Sequence, residues 1–120
     1  MNDTTWLRLS LFIARDRLAI EYEDSLGHRA GPGGDAGIAL WDTAEVLYRS
    51  GVRTVRWPRR ATAHLIDLIA RDRGPIAVRV RPPRELWTTD WADFACNVLV
   101  RLGVDGERLD VATEGDGSHP

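Results

Sequence analysis

Arginine is the residue of this 120-residue chain with the most chemistry to offer: all 16 basic residues are Arg, and neither Lys nor Gln occurs. A guanidinium stays charged and presents forked donors that match carboxylates and phosphates. Schiff-base catalysis and the Gly-Lys-Ser/Thr phosphate loop both need an amine, so this chain excludes them. The charge is also uneven. Residues 49–84 carry +8, residues 1–48 carry −4 and residues 85–120 carry −6. Arg79 and Arg81 fall on one predicted strand and Arg56 or Arg53 on its neighbour, Arg59 and Arg60 at a strand-to-helix turn, and Arg8 on the first strand. Standing together, they would hold phosphates or an acidic protein surface. Alternatively they meet Glu21, Glu23, Asp110 and other acids within the fold or across a homodimer. Exposed pairs of that kind contribute about 0–1 kcal/mol each and shape association more than stability.

The other reactive side chains do not assemble into a site. Cys96 is the only cysteine, so no intrachain disulfide or multi-cysteine zinc site can form. It lies mid-helix among Ala95, Val98 and Leu99, where small apolar packing is expected. His28, His64 and His119 fall in a glycine loop, a helix and a tail, with no spacing that gathers metal ligands. Gly31-Pro-Gly-Gly-Asp-Ala-Gly37 precedes a helix start, where free N–H groups attract anions, but Asp35 would repel phosphate. Asp90 and Asp93 suit the positive end of a helix. We therefore expect no catalytic residue, no metal and no cofactor.

The elements that must position the arginines follow from periodicity. Leu7, Leu9, Leu11 and Ile13 alternate with Trp6, Arg8, Ser10 and Phe12, and Leu18, Ile20 and Tyr22 repeat the pattern, so an N-terminal β-hairpin turns at residues 14–17. Residues 25–37 are a glycine-rich connection. A helix follows from Asp35 on Leu40, Ala44, Leu47 and Tyr48, and stops at Ser50-Gly51. Val52 to Trp57 reads as a strand closed by Pro58. A second helical stripe, Ala61, Leu65, Leu68 and Ile69, ends at Gly74-Pro75. Ile76, Val78 and Val80 alternate with Ala77, Arg79 and Arg81 in a strand stopped by Pro82-Pro83. Trp91, Phe94, Ala95, Val98 and Leu102 mark a third helix, starting at Pro83 or at Asp90 and closed by Gly103. Residues 108–113 form a last strand.

The order β-β-α-β-α-β-α-β predicts an α/β (or α+β) fold with a mixed sheet. Arg79 and Arg81 share one side of an interior strand, which argues for a two-layer sandwich with helices on one face and the other at least partly open. Residues 1–113 make a single domain and residues 114–120 a disordered tail. Trp41 and Trp91 are assigned to the core. On the open face Trp6 and Phe12 stand beside Arg8, and aromatics rimmed by Arg mark an interface.

This order, with its Pro-Pro and its helix ending in Leu102-Gly-Val, resembles the topology of STAS-type anti-sigma-factor antagonists. Those proteins carry an aspartate-serine pair between a central strand and the next helix, where this chain has Trp57-Pro-Arg-Arg-Ala-Thr62. Phosphorylation-driven partner switching therefore lacks its residue here. The longest apolar run near the N-terminus, residues 11–14, is bracketed by charge, so neither a signal peptide nor a membrane span is expected. Single-cysteine, Arg-only composition suits a bacterial cytoplasm. The expected function is a small non-enzymatic binding or regulatory module. It would touch another protein, or a second copy of itself, through Trp6, Arg8, Phe12, Arg56, Arg59, Arg60, Arg79 and Arg81. The alternative is a nucleic-acid or phosphate binder using residues 49–84.

Overall fold

The computed structural model describes residues 4–31, 49, 51–52, 54–84 and 90–114. Alternation in the first 24 residues becomes a hairpin: β1 (Trp6–Ala14) runs antiparallel to β2 (Arg17–Asp24), with Leu7 opposite Asp24 and Ala14 opposite Arg17. Arg15, in the turn, takes a φ of +58°, a region that L side chains seldom adopt. The connection predicted after residue 24 is tied down at its start, because β3 (Arg29–Ala30) pairs antiparallel with β2. No sequence period marks a strand of two residues.

The helix expected over residues 35–50 lies outside the described residues, apart from Arg49, which is helical. Gly51 follows with a φ of +90°, the left-handed geometry expected of a residue just past a helix end. The next strand is shorter than predicted. β4 (Thr54–Arg56) pairs parallel with β2, while Val52 and Trp57 flank it as buried side chains. Helix α1 (Ala61–Arg71), strand β5 (Ile76–Arg81) and helix α2 (Trp91–Arg101) follow. Asp90 caps α2, its side chain accepting from the Asp93 N–H, which decides between the two predicted starts. A 3₁₀ turn (Gly106–Arg108) leads into β6 (Leu109–Thr113).

The six strands form one mixed sheet in the order β3-β2-β1-β5-β6, with β4 also on β2. β1 and β5, β5 and β6, and β2 and β4 run parallel. One face is apolar: Leu7, Leu9 and Leu11 join Leu18, Ile20 and Tyr22 and Ile76, Val78 and Val80. Ala61, Leu65 and Leu68 of α1 and Trp91, Phe94, Ala95, Val98 and Leu99 of α2 complete that core. Both described helices therefore lie on this face, the two-layer arrangement the Arg pattern of β5 implied.

Arg108 joins the layers. Its Nε donates to the Gly74 carbonyl at 3.0 Å, one Nη to the Ile69 carbonyl at 3.2 Å and the other to the Asp72 carbonyl. It thereby satisfies carbonyls at and beyond the C-terminal end of α1, which the helix itself cannot. Arg108→Ala should lose about 2–3 kcal/mol in urea unfolding. Arg108→Lys should recover little, since an ammonium cannot reproduce the planar fork.

Candidate binding face

The opposite sheet face carries Trp6, Arg8, Ser10 and Phe12 from β1. Strand register sets their neighbours. Glu23, Arg8 and Arg79 form one row, Glu21, Ser10 and Arg81 the next, and Phe12 lies beside Ala19. Arg56 of β4 is level with Ala19, and Asp110 and Ala112 of β6 with Ala77 and Arg79. Among the described residues no helix covers this face.

Three of the sheet arginines, Arg8, Arg79 and Arg81, are engaged by carboxylates of their own chain. Arg8 donates to both Glu114 oxygens, at 2.8 and 3.3 Å, and to Glu23 at 3.3 Å. Its guanidinium also lies 5.6 Å from the Trp6 ring centroid, a cation–π contact. Arg81 donates to Glu114 at 3.2 Å. Arg79 donates to the carbonyls of Val78 and Asp110, each at 2.9 Å, and lies 3.8 Å from the Asp110 carboxylate. Burial works to raise the Glu114 carboxyl, but the hydrogen bonds and charges of Arg8 and Arg81 outweigh it and hold it below its ordinary 4.5. Glu114, assigned to the tail on sequence grounds, continues the sheet instead: its N–H donates to the Val80 carbonyl at 2.7 Å.

Internal pairing changes what this face can do. Of the two readings of the arginines, pairing inside the fold is the one realised at Arg8, Arg79 and Arg81. A bare cationic patch would concentrate polyanions. Six described guanidiniums, Arg8, Arg17, Arg29, Arg56, Arg79 and Arg81, share the face with four carboxylates, Glu21, Glu23, Asp110 and Glu114, so the surface is of mixed charge, compensated at Arg8, Arg79 and Arg81. Phe12, 48% exposed, stands at its end. It borders an open cleft of about 580 Å³ lined also by Glu21, Arg81 and Pro82-Pro83. Arg59 and Arg60 sit apart from this face, exposed at the start of α1, where Arg60 is the N-cap without a side-chain cap bond.

Comparison with protein-family models, with curated proteins and with solved structures finds no match.

A second cluster was invisible to sequence reasoning. The His28 and His64 rings stack at 4.3 Å with planes 9° apart, and Tyr22 stacks on His64 at 6.1 Å. Trp57 meets Tyr22 edge-on at 6.2 Å and donates its indole N–H to the Thr62 hydroxyl at 2.9 Å. Asp24, 3% exposed, accepts from the Tyr22 hydroxyl at 2.6 Å and from the N–H groups of Leu26 at 2.9 Å and His28 at 3.2 Å. His28 Nδ1 lies 3.0 Å from the same carboxylate, and its Nε2 lies 3.4 Å from Asp67, which also pairs with Arg71. The only prior signal was His64 and Asp67 three apart on one helix face. His28 arrives through the hairpin end, 36 residues earlier, and no local spacing reports such a meeting. Among the described residues no group of His, Cys, Asp and Glu is arranged to hold a metal ion.

This cluster makes an alkaline prediction. Burial first, then the Asp24 hydrogen bond and charge, push the Tyr22 phenol far above its ordinary 10.0. A group whose pKa is raised by folding contributes its full stability below the unfolded value and loses it as pH rises past that value. Stability should therefore decline above about pH 10. Absorbance near 295 nm should show at most one of the two tyrosines ionising before the chain unfolds.

Proposed function

We propose that the chain is a non-enzymatic binding module that works by protein–protein contact through the open sheet face, in a bacterial cytoplasm. The observation that carries this reading is Phe12, an aromatic left 48% exposed beside a surface whose arginines Arg8, Arg79 and Arg81 are paired within the chain. Hot spots of protein interfaces are large side chains of this kind, ringed by polar groups that exclude water. Trp6, Arg8, Arg79 and Arg81 supply that ring, with their charges already compensated, so a partner gains contact area without having to neutralise bare cations. The single cysteine fits a reducing compartment, and among the described residues no helix is long and apolar enough to cross a membrane.

A phosphate- or nucleic-acid-binding role would fall to exposed arginines such as Arg59, Arg60 and Arg84, because Arg8, Arg79 and Arg81 are occupied. Binding through those three would weaken steeply with salt. Partner switching of the STAS kind would need a hydroxyl presented between β4 and α1. The nearest hydroxyl, Thr62 in the first turn of α1, is half-buried and accepts from Trp57.

Photo-crosslinking tests the docking reading. A benzophenone side chain at position 12 should capture protein, and one at position 66, on the solvent side of α1, should not. Capture at 66 with none at 12 overturns it.

A further inference from the structure

We infer that the open face takes a second copy of this chain, stacked face to face about a twofold axis running along β1. This rests on the docking-face reading and names the partner. It comes from the order of charges across the strands. Glu21 and Glu23 stand on β2, Arg81 and Arg79 on β5, and β1 runs between them. On the rows level with Arg8 and Ser10, carboxylates thus occupy the strand on one side of β1 and guanidiniums the strand on the other, while Arg17 lies at the far end of β2, level with Ala14.

Two face-to-face arrangements with an in-plane twofold are open to such a sheet. An axis perpendicular to the strands lays each strand over its own copy, so Glu21 and Glu23 meet carboxylates and Arg79 and Arg81 meet guanidiniums. An axis along β1 exchanges β2 with β5. The register then matters: Glu21 and Arg81 are both level with Ser10, and Glu23 and Arg79 are both level with Arg8. Rotation about β1 therefore brings Glu21 over Arg81 of the second copy, and Glu23 over its Arg79, with no slip along the strands. Arg8, on the axis, faces its copy, but each is already held by Glu23 and Glu114. Glu21 makes no ion pair within the chain among the described residues, which leaves it for the second copy.

The geometry tolerates ordinary sheet packing. Facing sheets lie about 10 Å apart and cross at about 30°, which displaces a pair one strand from the axis by roughly 2–3 Å, within reach of Glu and Arg. Five strands span roughly 20 Å by 15 Å of surface, small for a permanent interface, so the dimer should depend on concentration.

Sedimentation of the full chain across micromolar to millimolar concentration reads the dimer Kd. Glu21→Arg and Arg81→Glu should each weaken the dimer about 30-fold, because symmetry repeats each repulsion. The double variant E21R/R81E should return to within about threefold of the parent, since both strands exchange charge together. Circular dichroism shows that each variant remains folded. A double variant no better than the singles, or singles without effect while Phe12→Asp dissociates the dimer, overturns the axis and leaves the docking face standing. A chain monomeric at millimolar concentration overturns the second copy as occupant. A dimer indifferent to Phe12→Asp overturns both.

Discussion

Asp24→Ala is expected to unfold the chain about 3–5 kcal/mol more easily in urea, the largest loss from any single polar substitution considered. The carboxylate is 3% exposed and gathers the Tyr22 hydroxyl, two backbone N–H groups and the His28 ring. Alanine would leave these donors facing a dry cavity, and each unsatisfied buried donor costs about 1–3 kcal/mol. The turn after β2 would loosen with it, because the Asp24 carboxylate's bonds to the Leu26 and His28 N–H groups add to the backbone bonds that hold the chain on its way to β3. Asp24→Asn should cost less, about 1–2 kcal/mol. An amide oxygen still accepts from the backbone, and the Tyr22 hydroxyl can rotate to accept rather than donate. Tyr22→Phe, which removes one donor and keeps the acceptor, belongs in the same range. Equal losses for Asp24→Ala and Asp24→Asn would show that volume, not hydrogen bonding, sets the effect.

Phe12→Asp is the second large effect, and it acts on binding rather than folding. The ring is 48% exposed and lies on the face away from the core, so stability should change by no more than about 0.5 kcal/mol. Association through the face should weaken by about 2–4 kcal/mol, or 30- to 1000-fold, because an aromatic anchor is replaced by a charge that must be desolvated beside Glu21. Ile66→Asp is the matched control, being an exposed apolar residue on α1 at 56% exposure. It should leave association within about threefold of the parent. A variant that loses binding and stability together would place Phe12 in the fold instead.

Local pattern made the sheet legible where one face is buried and the other wet. Leu7-Arg8-Leu9-Ser10-Leu11 and Val78-Arg79-Val80-Arg81 state both faces residue by residue, so the hairpin, β5 and the open side are legible in the sequence alone. The caps were legible for the same reason: Asp90 and Gly103 do their work within one helical turn. What escaped was everything that depends on register between strands far apart in the chain. That Arg79 would meet Asp110 and that Arg8 would meet Glu114 follows from the neighbours of β5, and composition says only that acids are plentiful. The stack of His28 on His64 depends on how α1 sits beside the end of β2. β3 is too short to show a period, and Glu114 looked like tail because only its backbone and its carboxylate, not an apolar side chain, hold it to the sheet.

The account stands on the face bearing Trp6 and Phe12 being the surface that other protein covers. Hydroxyl-radical footprinting of the full chain from dilute to concentrated solution measures this at single side chains. Oxidation of Trp6 and Phe12 should fall with concentration while Ile66 and Val100, exposed on the two helices, stay constant. Protection of Ile66 or Val100 with Trp6 and Phe12 unchanged would contradict it.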